Sequence, residues 1–257
     1  MTRLGIAAAR QYRADFLMTA FGALCYEALS LAFVGVVVHA FGTIGGWHFR
    51  DLAFIYGIRA TGHAIHGLGF GQLWQTDDVV RQGEFDRYLL RPIDPLMQLM
   101  TRRFQITAVG DLVFGAVLLI ITSVAAPVSW SPAYAVYLLA AVLGSAMVEA
   151  AVLLAFSALS FRLLVSGPLM TVANGVFVTF GPYPLSVLPR TVSYLLTFLL
   201  PLAFAAYFPA AVLLGRSDEL FVPTWLAACS PLVGVILFAA AVAFFHRQTR
   251  HYSSPGH

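Results

Sequence analysis

The sequence contains no lysine, because all 15 of its Lys and Arg residues are arginines. A phosphate-binding P-loop requires a lysine followed by serine or threonine. Schiff-base catalysis likewise requires a lysine amine. The chain therefore has neither a P-loop ATPase site nor a lysine-based covalent catalyst of its own.

Cysteine and charge are also scarce. The only cysteines, Cys25 and Cys229, lie inside apolar runs without ligand-like spacing, which argues against a structural disulfide or a cysteine–zinc site. Charged residues make up 11% of the 257 residues, against about 25% in an ordinary soluble domain. With 60% hydrophobic residues and a mean hydropathy of +0.82, the composition predicts one all-α integral membrane domain over residues 1–257.

Several apolar runs are long enough to cross a bilayer, which takes about 20 helical residues. We predict six transmembrane helices, at residues 16–41, 52–74, 105–126, 133–160, 163–180 and 223–245. Residues 1–15 are predicted to form an amphipathic surface helix, the alternative being a frayed start of the first span. The proline-interrupted run 183–215 is predicted to re-enter the outer side without crossing.

The arginines orient this arrangement. With a cytoplasmic N-terminus and the run 183–215 not crossing, most arginines fall inside, as the positive-inside rule requires. Those inside are Arg3, Arg10, Arg13, Arg81, Arg87, Arg91, Arg102, Arg103, Arg162, Arg247 and Arg250, whereas Arg50, Arg190 and Arg216 fall outside. Both termini are therefore predicted to be cytoplasmic. The tryptophans, including Trp47, fall at predicted span ends, where we expect them at the membrane interface.

A charged segment, residues 75–104, separates the second and third predicted spans, and residues 81–96 read RQGEFDRYLLRPIDPL. Phe85, Tyr88 and Leu89 follow i, i+3, i+4 spacing and predict an apolar stripe on a short cytosolic helix. Pro92 and Pro95 are predicted to end this helix. The stripe needs a surface to pack on, which is either the lipid headgroup region or a docked cytosolic protein.

This stretch resembles the coupling segment of type-2 ABC exporter permeases, in the branch with the pattern G-x-x-D-x-x-L-L-R-P. The matching residues are Gly83, Asp86, Leu89, Leu90, Arg91 and Pro92. The run 183–215 is similar to the proline-rich outer re-entrant region before the last span of such permeases. The resemblance implies that an ATPase subunit couples to Arg81, Gly83, Phe85, Asp86, Tyr88, Leu89, Leu90, Arg91 and Pro92.

The resemblance further implies a non-catalytic permease subunit of an ATP-driven exporter in the bacterial plasma membrane. Such a subunit binds no cofactor itself, since ATP and Mg²⁺ are held by a cytosolic P-loop ATPase partner. It pairs with a second permease, as a homodimer or heterodimer, within the lipid bilayer. No nucleic-acid partner is expected, and the apolar spans favour a lipophilic substrate.

Ionisable residues inside the predicted spans offer two interpretations. They are Glu27, Arg59, His63, His66 and Glu149, with Asp111 nearer the cytosolic side. Each costs about 2.5–3.5 kcal/mol or more at the bilayer centre if charged, so we expect partners or water around them. They either line a translocation or proton path, or form interhelical pairs such as Arg59 with Glu27 or Glu149. No metal site is predicted, because His63 and His66 at i, i+3 supply only two ligands.

Two other classes of protein remain open at this stage. A proton-coupled secondary transporter or channel would use the intramembrane Arg, His and Glu residues and need no ATPase, but the sequence shows no internal repeat. A membrane-embedded enzyme would need a cluster of catalytic groups, and no acid shares the segment that carries Arg59, His63 and His66.

Overall fold

The computed structural model describes residues 2–102, 107–163 and 166–254, and within these ranges it contains helices and no β-strand. The helices are α1 (Thr2–Phe41), α2 (Phe49–Phe70), α3 (Thr76–Arg81), α4 (Phe85–Leu89), α5 (Pro95–Met100), α6 (Thr107–Ala125), α7 (Pro132–Ala158), α8 (Ser160–Leu163), α9 (Gly167–Phe180), α10 (Arg190–Phe198), α11 (Leu202–Ala205), α12 (Tyr207–Leu213), α13 (Thr224–Ala228) and α14 (Ser230–Thr249). Short 3₁₀ turns lie at Gly71–Gln75, Leu185–Val187 and Ser217–Glu219.

Four of the described helical stretches are long and apolar enough to cross a membrane. They are Leu24–Phe41, Ala108–Ala125, Pro132–Leu163 and Ser230–Thr249, whereas Gly167–Phe180 is apolar but shorter. The all-helical architecture and these stretches support a multi-pass membrane protein.

Helix α2 has the length of a span but carries Arg50, Asp51 and Arg59, and it is enclosed by protein. It packs between α6 and α7, and every residue from Asp51 to Gly62 is buried. The approach of α6 depends on Gly115, since a Cβ atom there would lie 2.8 Å from the backbone nitrogen of Thr61. Enclosure by neighbouring helices explains why α2 tolerates the buried Asp51 and Arg59. Arg50, in the first turn of α2, is exposed.

Helix α7 is the second centre of the bundle. It packs against α2, α14, α11 and α9. Its contact with α14 is a backbone contact, because a Cβ atom on Gly234 would lie 2.5 Å from the carbonyl oxygen of Gly144. Small residues at this crossing allow the close helix approach that membrane bundles use in place of a hydrophobic driving force.

The proline-rich run before α14 forms three short helices, α10 to α12. Pro201 separates α10 from α11, as the sequence predicts, and α11 and α12 are almost entirely buried. Pro209 does not interrupt a helix, because it lies in the first turn of α12, where its missing N–H needs no intrahelical partner. The second break falls instead at Ala206.

Both ends of this run lie at the same end of the bundle. A Cβ atom on Gly45 would lie 2.5 Å from Val187, and the Arg216 guanidinium donates to the carbonyl oxygen of Gly46 at 2.9 Å. Val187 and Arg216 therefore both lie beside the loop that joins α1 to α2, and the chain between them begins and ends there. Trp47 in this loop is fully buried beneath Arg216, whose guanidinium carbon lies 4.1 Å from the Trp47 ring centroid, so the ring packs against protein.

Several predicted boundaries differ from the observed ones. Helix α1 runs unbroken from Thr2 to Phe41, because residues 6–21 contain no proline or glycine, so no separate surface helix precedes the first span. The predicted last span begins as the short helix α13, and Pro231 opens α14, which ends at Thr249. Parts of other predictions lie outside the described residues, namely residue 1, 103–106, 164–165 and 255–257, and the side chains of residues 1–17.

Candidate functional site

The charged segment 75–104 is attached to the fifth predicted span through Asp77 in α3. One carboxylate oxygen of Asp77 accepts hydrogen bonds from the backbone N–H groups of Ser166 and Gly167, at 2.8 and 2.6 Å. The other oxygen accepts from the hydroxyl groups of Ser160 and Ser166. Burial opposes ionisation, but these hydrogen bonds outweigh it and lower the pKa of Asp77 below its ordinary 3.8.

The predicted single helix of this segment is two short helices and a turn. Gly83 adopts φ +67°, a conformation that favours glycine, and separates α3 from α4. Helix α4 contains only Phe85–Leu89, which includes the three residues of the predicted apolar stripe. Pro95 does not end a helix but begins α5, with Asp94 as the N-cap that accepts from the N–H of Met97 at 3.0 Å.

The predicted apolar stripe divides between the protein interior and the surface. Phe85 is 1% exposed and packs edge to face on Phe161 and Tyr252, with ring centroids 4.8 and 5.0 Å away. Tyr88 lies partly buried beside it, whereas Leu89 is 53% exposed. Phe85 and Tyr88 therefore pack on this chain itself, which is neither of the two surfaces that the sequence suggested.

Polar contacts fix the rest of the segment. Glu84 pairs with Arg102 at 2.7 Å, and Asp86 accepts from the hydroxyl of Ser254 at 2.7 Å. The Gln98 amide donates to the backbone carbonyl oxygens of Tyr88 and Ile93 at 2.9 and 2.8 Å. The segment is thus tied to the C-terminal tail and closed upon itself.

An apolar surface remains on the outside of this fixed segment. We call it the coupling surface, and it consists of Leu89, Leu90, Ile93 and Met97. Leu90 is 85% exposed, and the neighbouring Arg87, Arg91 and Pro92 are exposed as well. Of the predicted coupling residues, the structure therefore exposes Leu89, Leu90, Arg91, Pro92 and Arg81, which pairs with Asp78. Phe85 is withdrawn into the core.

The ionisable residues inside the bundle form interhelical contacts, but with partners that differ from the predicted ones. Glu27 of α1 accepts a hydrogen bond from the hydroxyl of Tyr56 in α2. Glu149 of α7 pairs with Nδ1 of His63 at 2.7 Å. Neither acid pairs with Arg59, so the predicted Arg59 pairs are wrong, although interhelical pairing itself is present.

Arg59 points toward the end of α9. It is 4% exposed, and Nε and Nη2 have no hydrogen-bond partner among the described residues. A Cβ atom on Gly181 would lie 2.5 Å from the Arg59 Cδ atom, so the side chain lies against the C-terminus of α9. The partial negative charge of a helix C-terminus favours a cation there.

His63 and His66 line a small polar cavity of about 220 Å³. Its walls also include Asp111 and Asn174, and Asn174 was not among the residues singled out from the sequence. Glu149 lies beside the two histidines, so the structure supplies the third ligand-type residue that local sequence spacing lacked. An acid 86 positions away in the chain gives no signal in the pattern around His63.

Comparison with known proteins gives one match. The model of a family described as "ABC-2 family transporter protein" matches residues 24–256, which is most of the chain. No curated protein and no solved structure matches it. The helices of the described residues, four of them long and apolar enough to cross a membrane, agree with that assignment. The chain belongs to the ABC-2 transporter family and is a transmembrane permease of an ABC transporter.

Proposed function

We propose that this chain is the permease subunit of an ATP-driven exporter, which forms the substrate pathway with a second permease and is driven by separate ATPase subunits. The ATPase docks on the coupling surface. Family membership supports an ABC ATPase partner. The export direction, the second permease, the docking surface and the substrate class belong to the proposal.

The coupling surface is the observation that carries this proposal. Leu89, Leu90, Ile93 and Met97 are each more than half exposed on a segment that is held in place by hydrogen bonds and by the buried Phe85. Adjacent exposed apolar side chains rimmed by charge are typical of protein interaction sites. The neighbouring Arg87 and Arg91 add positive charge, which complements an acidic rim on the partner.

The anchoring of the segment explains how a docked ATPase moves the bundle. Phe85 packs on Phe161 of α8 and on Tyr252 beyond α14, and Asp77 holds the start of α9. A displacement of the segment that carries Asp77 and Phe85 therefore acts on α8, on α9 and on the chain beyond α14 together. Nucleotide binding drives the change only through different affinities for the two states of the complex.

The proposed topology has six crossings, by α1, α2, α6, α7, α9 and α14, with both termini cytoplasmic in the bacterial plasma membrane. Contacts at the two ends support it: Phe85, Phe161 and Tyr252 meet at one end, and Asp51 pairs with Arg216 at 3.0 Å at the other. The run α10 to α12 begins and ends at the second end, which supports a re-entrant outer element. Helix α9 alone spans only about 21 Å, so its crossing requires the flanking residues.

A lipophilic substrate is supported by an apolar groove between α1 and α9. The groove measures about 550 Å³ and is open to the surface of the bundle. Tyr26, Leu29 and Phe33 of α1 line one side, and Val178 and Tyr183 line the other. A groove of this composition suits a molecule that enters from the bilayer.

The proposal is tested by purifying the chain through an affinity tag after co-expression with its neighbouring genes. Mass spectrometry identifies the proteins that co-purify. We expect a P-loop ATPase in a near one-to-one ratio with total permease, and the same sample shows whether a second permease is present. A well-folded oligomer of this chain without any ATPase contradicts the proposal.

The docking surface is tested separately with Leu89→Asp in the assembled complex. We expect normal insertion, but ATPase binding weakened by about tenfold or more, because the variant places a charge inside an apolar contact. Trp130→Asp is the control, since Trp130 is 43% exposed and lies in the loop between α6 and α7, outside the segment. Full substrate-stimulated ATPase activity in Leu89→Asp contradicts this assignment. Asp86→Arg is less informative, because Asp86 also holds Ser254.

A proton-coupled transporter is the second candidate function, and the buried pair of His63 with Glu149 is the observation that favours it. A histidine beside a carboxylate is a common element of proton relays in membranes. The two candidates differ in energy source. Transport is measured with the purified complex. Transport that requires ATP and persists without a proton gradient supports the exporter. Transport that requires a proton gradient and persists without ATP supports proton coupling.

A further inference from the structure

The cluster of His63, His66 and Glu149 has the composition of a metal site. His63 and His66 lie on successive turns of α2, and Glu149 reaches them from α7. One ligand atom from each residue lies within 4.8 Å of those of the other two. Two imidazoles and one carboxylate form a set that zinc uses when its fourth position is left for water or substrate.

His66 provides an independent indication that a ligand is missing from this cluster. The residue is only 2% exposed, yet neither ring nitrogen has a hydrogen-bond partner in the described parts of the chain. Buried polar side-chain atoms nearly always have a partner. A neutral imidazole nitrogen is also the commonest metal ligand in proteins.

The surroundings can accommodate an ion and one further ligand. The cavity of about 220 Å³ next to both histidines is lined in part by Asp111 and Asn174, whose oxygens can accept hydrogen bonds from bound water. Glu149 and Asp111 supply negative charge. The buried Arg59 does not line the cavity, since its side chain lies against Gly181, although its charge acts on His63 and Glu149.

We propose that His63, His66 and Glu149 bind one divalent transition-metal ion of the zinc class, which joins α2 to α7 inside the bundle. Nitrogen ligands favour zinc over magnesium or calcium, which take oxygen ligands. The ion replaces the direct contact between His63 and Glu149 with bonds from both to the metal. The site is independent of ATPase docking, because it lies inside the bundle and shares no residue with the coupling surface.

The test uses the full chain, purified with a histidine-free tag, stripped with chelator and titrated with ZnCl₂ by calorimetry. Metal content after desalting is measured by mass spectrometry. We expect one zinc per chain, and we expect the wild type loaded with Co²⁺ to show the visible absorption of tetrahedral cobalt. Absence of a stoichiometric zinc ion in the wild type overturns the proposal.

Variants assign the ion to these residues. His66→Gln keeps polar groups in the interior and removes the imidazole, so we expect it to lose the stoichiometric zinc and the cobalt spectrum. His39→Gln is the matched control, because His39 is exposed on α1, and it should bind as the wild type does. Glu149→Gln should also lose the ion. Equal zinc binding by His66→Gln and the wild type overturns the assignment, and if Glu149→Gln fails to fold, His66→Gln decides it.

Discussion

Asp77 and Ser166 lie 89 positions apart in the sequence, yet Oδ2 of Asp77 accepts a hydrogen bond from the backbone N–H of Ser166 at 2.8 Å. The same oxygen accepts from the N–H of Gly167, the first residue of α9. The first N–H groups of a helix have no partner within the helix. Asp77 thus serves as the missing cap of α9 and joins the start of the charged segment to this apolar helix.

We expect Asp77→Ala to lower the free energy of unfolding by about 1–2 kcal/mol, because it removes a cap that also carries charge. Thermal unfolding of the detergent-solubilised protein measures the effect. Asp78→Ala is the matched control, since the Asp78 side chain is 57% exposed and its pair with Arg81 contributes at most about 1 kcal/mol. Equal losses of stability in Asp77→Ala and Asp78→Ala would contradict the assignment of Asp77 as the cap of α9.

The stabilisation by Asp77 should depend on pH with a definite sign. Its pKa is lower in the folded protein than the ordinary 3.8, so its contribution is fully present above about pH 5. The contribution is lost as the pH falls through the lowered pKa. We expect the stability difference between wild type and Asp77→Asn to be constant from pH 5 to pH 8 and to shrink in more acid solution. A difference that disappears near neutral pH would contradict this assignment.

Phe85→Ala should release the charged segment from the bundle. Replacing a buried phenylalanine with alanine lowers the free energy of unfolding by about 3–5 kcal/mol. Here the replacement removes the ring contacts with Phe161 and Tyr252. Trypsin cleavage after Arg81 or Arg87, both of which are exposed, reports the release, and we expect it to be faster. Leu90→Ala is the control, because the exposed Leu90 contributes little to the isolated chain. Unchanged cleavage of Phe85→Ala would show that Phe85 does not anchor the segment.

Gly115→Ala should destabilise the bundle, because the added Cβ would lie 2.8 Å from the backbone nitrogen of Thr61. Overpacking of this kind lowers the free energy of unfolding by about 1–3 kcal/mol. Gly175→Ala in α9 is the matched control, since a Cβ there has no atom within 4 Å. Thermal unfolding of both variants measures the difference, and a neutral Gly115→Ala would mean that α2 and α6 separate easily.

The sequence predicted an all-helical membrane protein, because its apolar runs are long enough for membrane-crossing helices. It did not predict the turn at Gly83, since a glycine within a helical pattern does not show whether it breaks the helix. The apolar stripe was read as one surface, whereas only Leu89 is strongly exposed. Burial of Phe85 depends on Phe161 and Tyr252, which lie far away in the chain.

The partners of the intramembrane charges were the least predictable part. Spacing places Arg59, His63 and His66 on one face of α2 but does not show which helix packs there. The partner of His63 is set by the place where α2 crosses α7. The two helices touch at Gly62, where an added Cβ would collide with Ser145. Ser145 lies one helical turn before Glu149, so this crossing brings Glu149 to His63. This crossing is a property of the packed bundle.

The most direct test of the proposed coupling places a photo-crosslinking amino acid at position 90 in the assembled complex. The control position is 225, because Trp225 is 67% exposed on α13, at the opposite end of α14 from the coupling surface. Mass spectrometry identifies the adducts after irradiation. We predict a crosslink to the ATPase subunit from position 90 and none from position 225. Absence of the ATPase adduct from position 90, in a complex that retains ATPase activity, would contradict docking at the coupling surface.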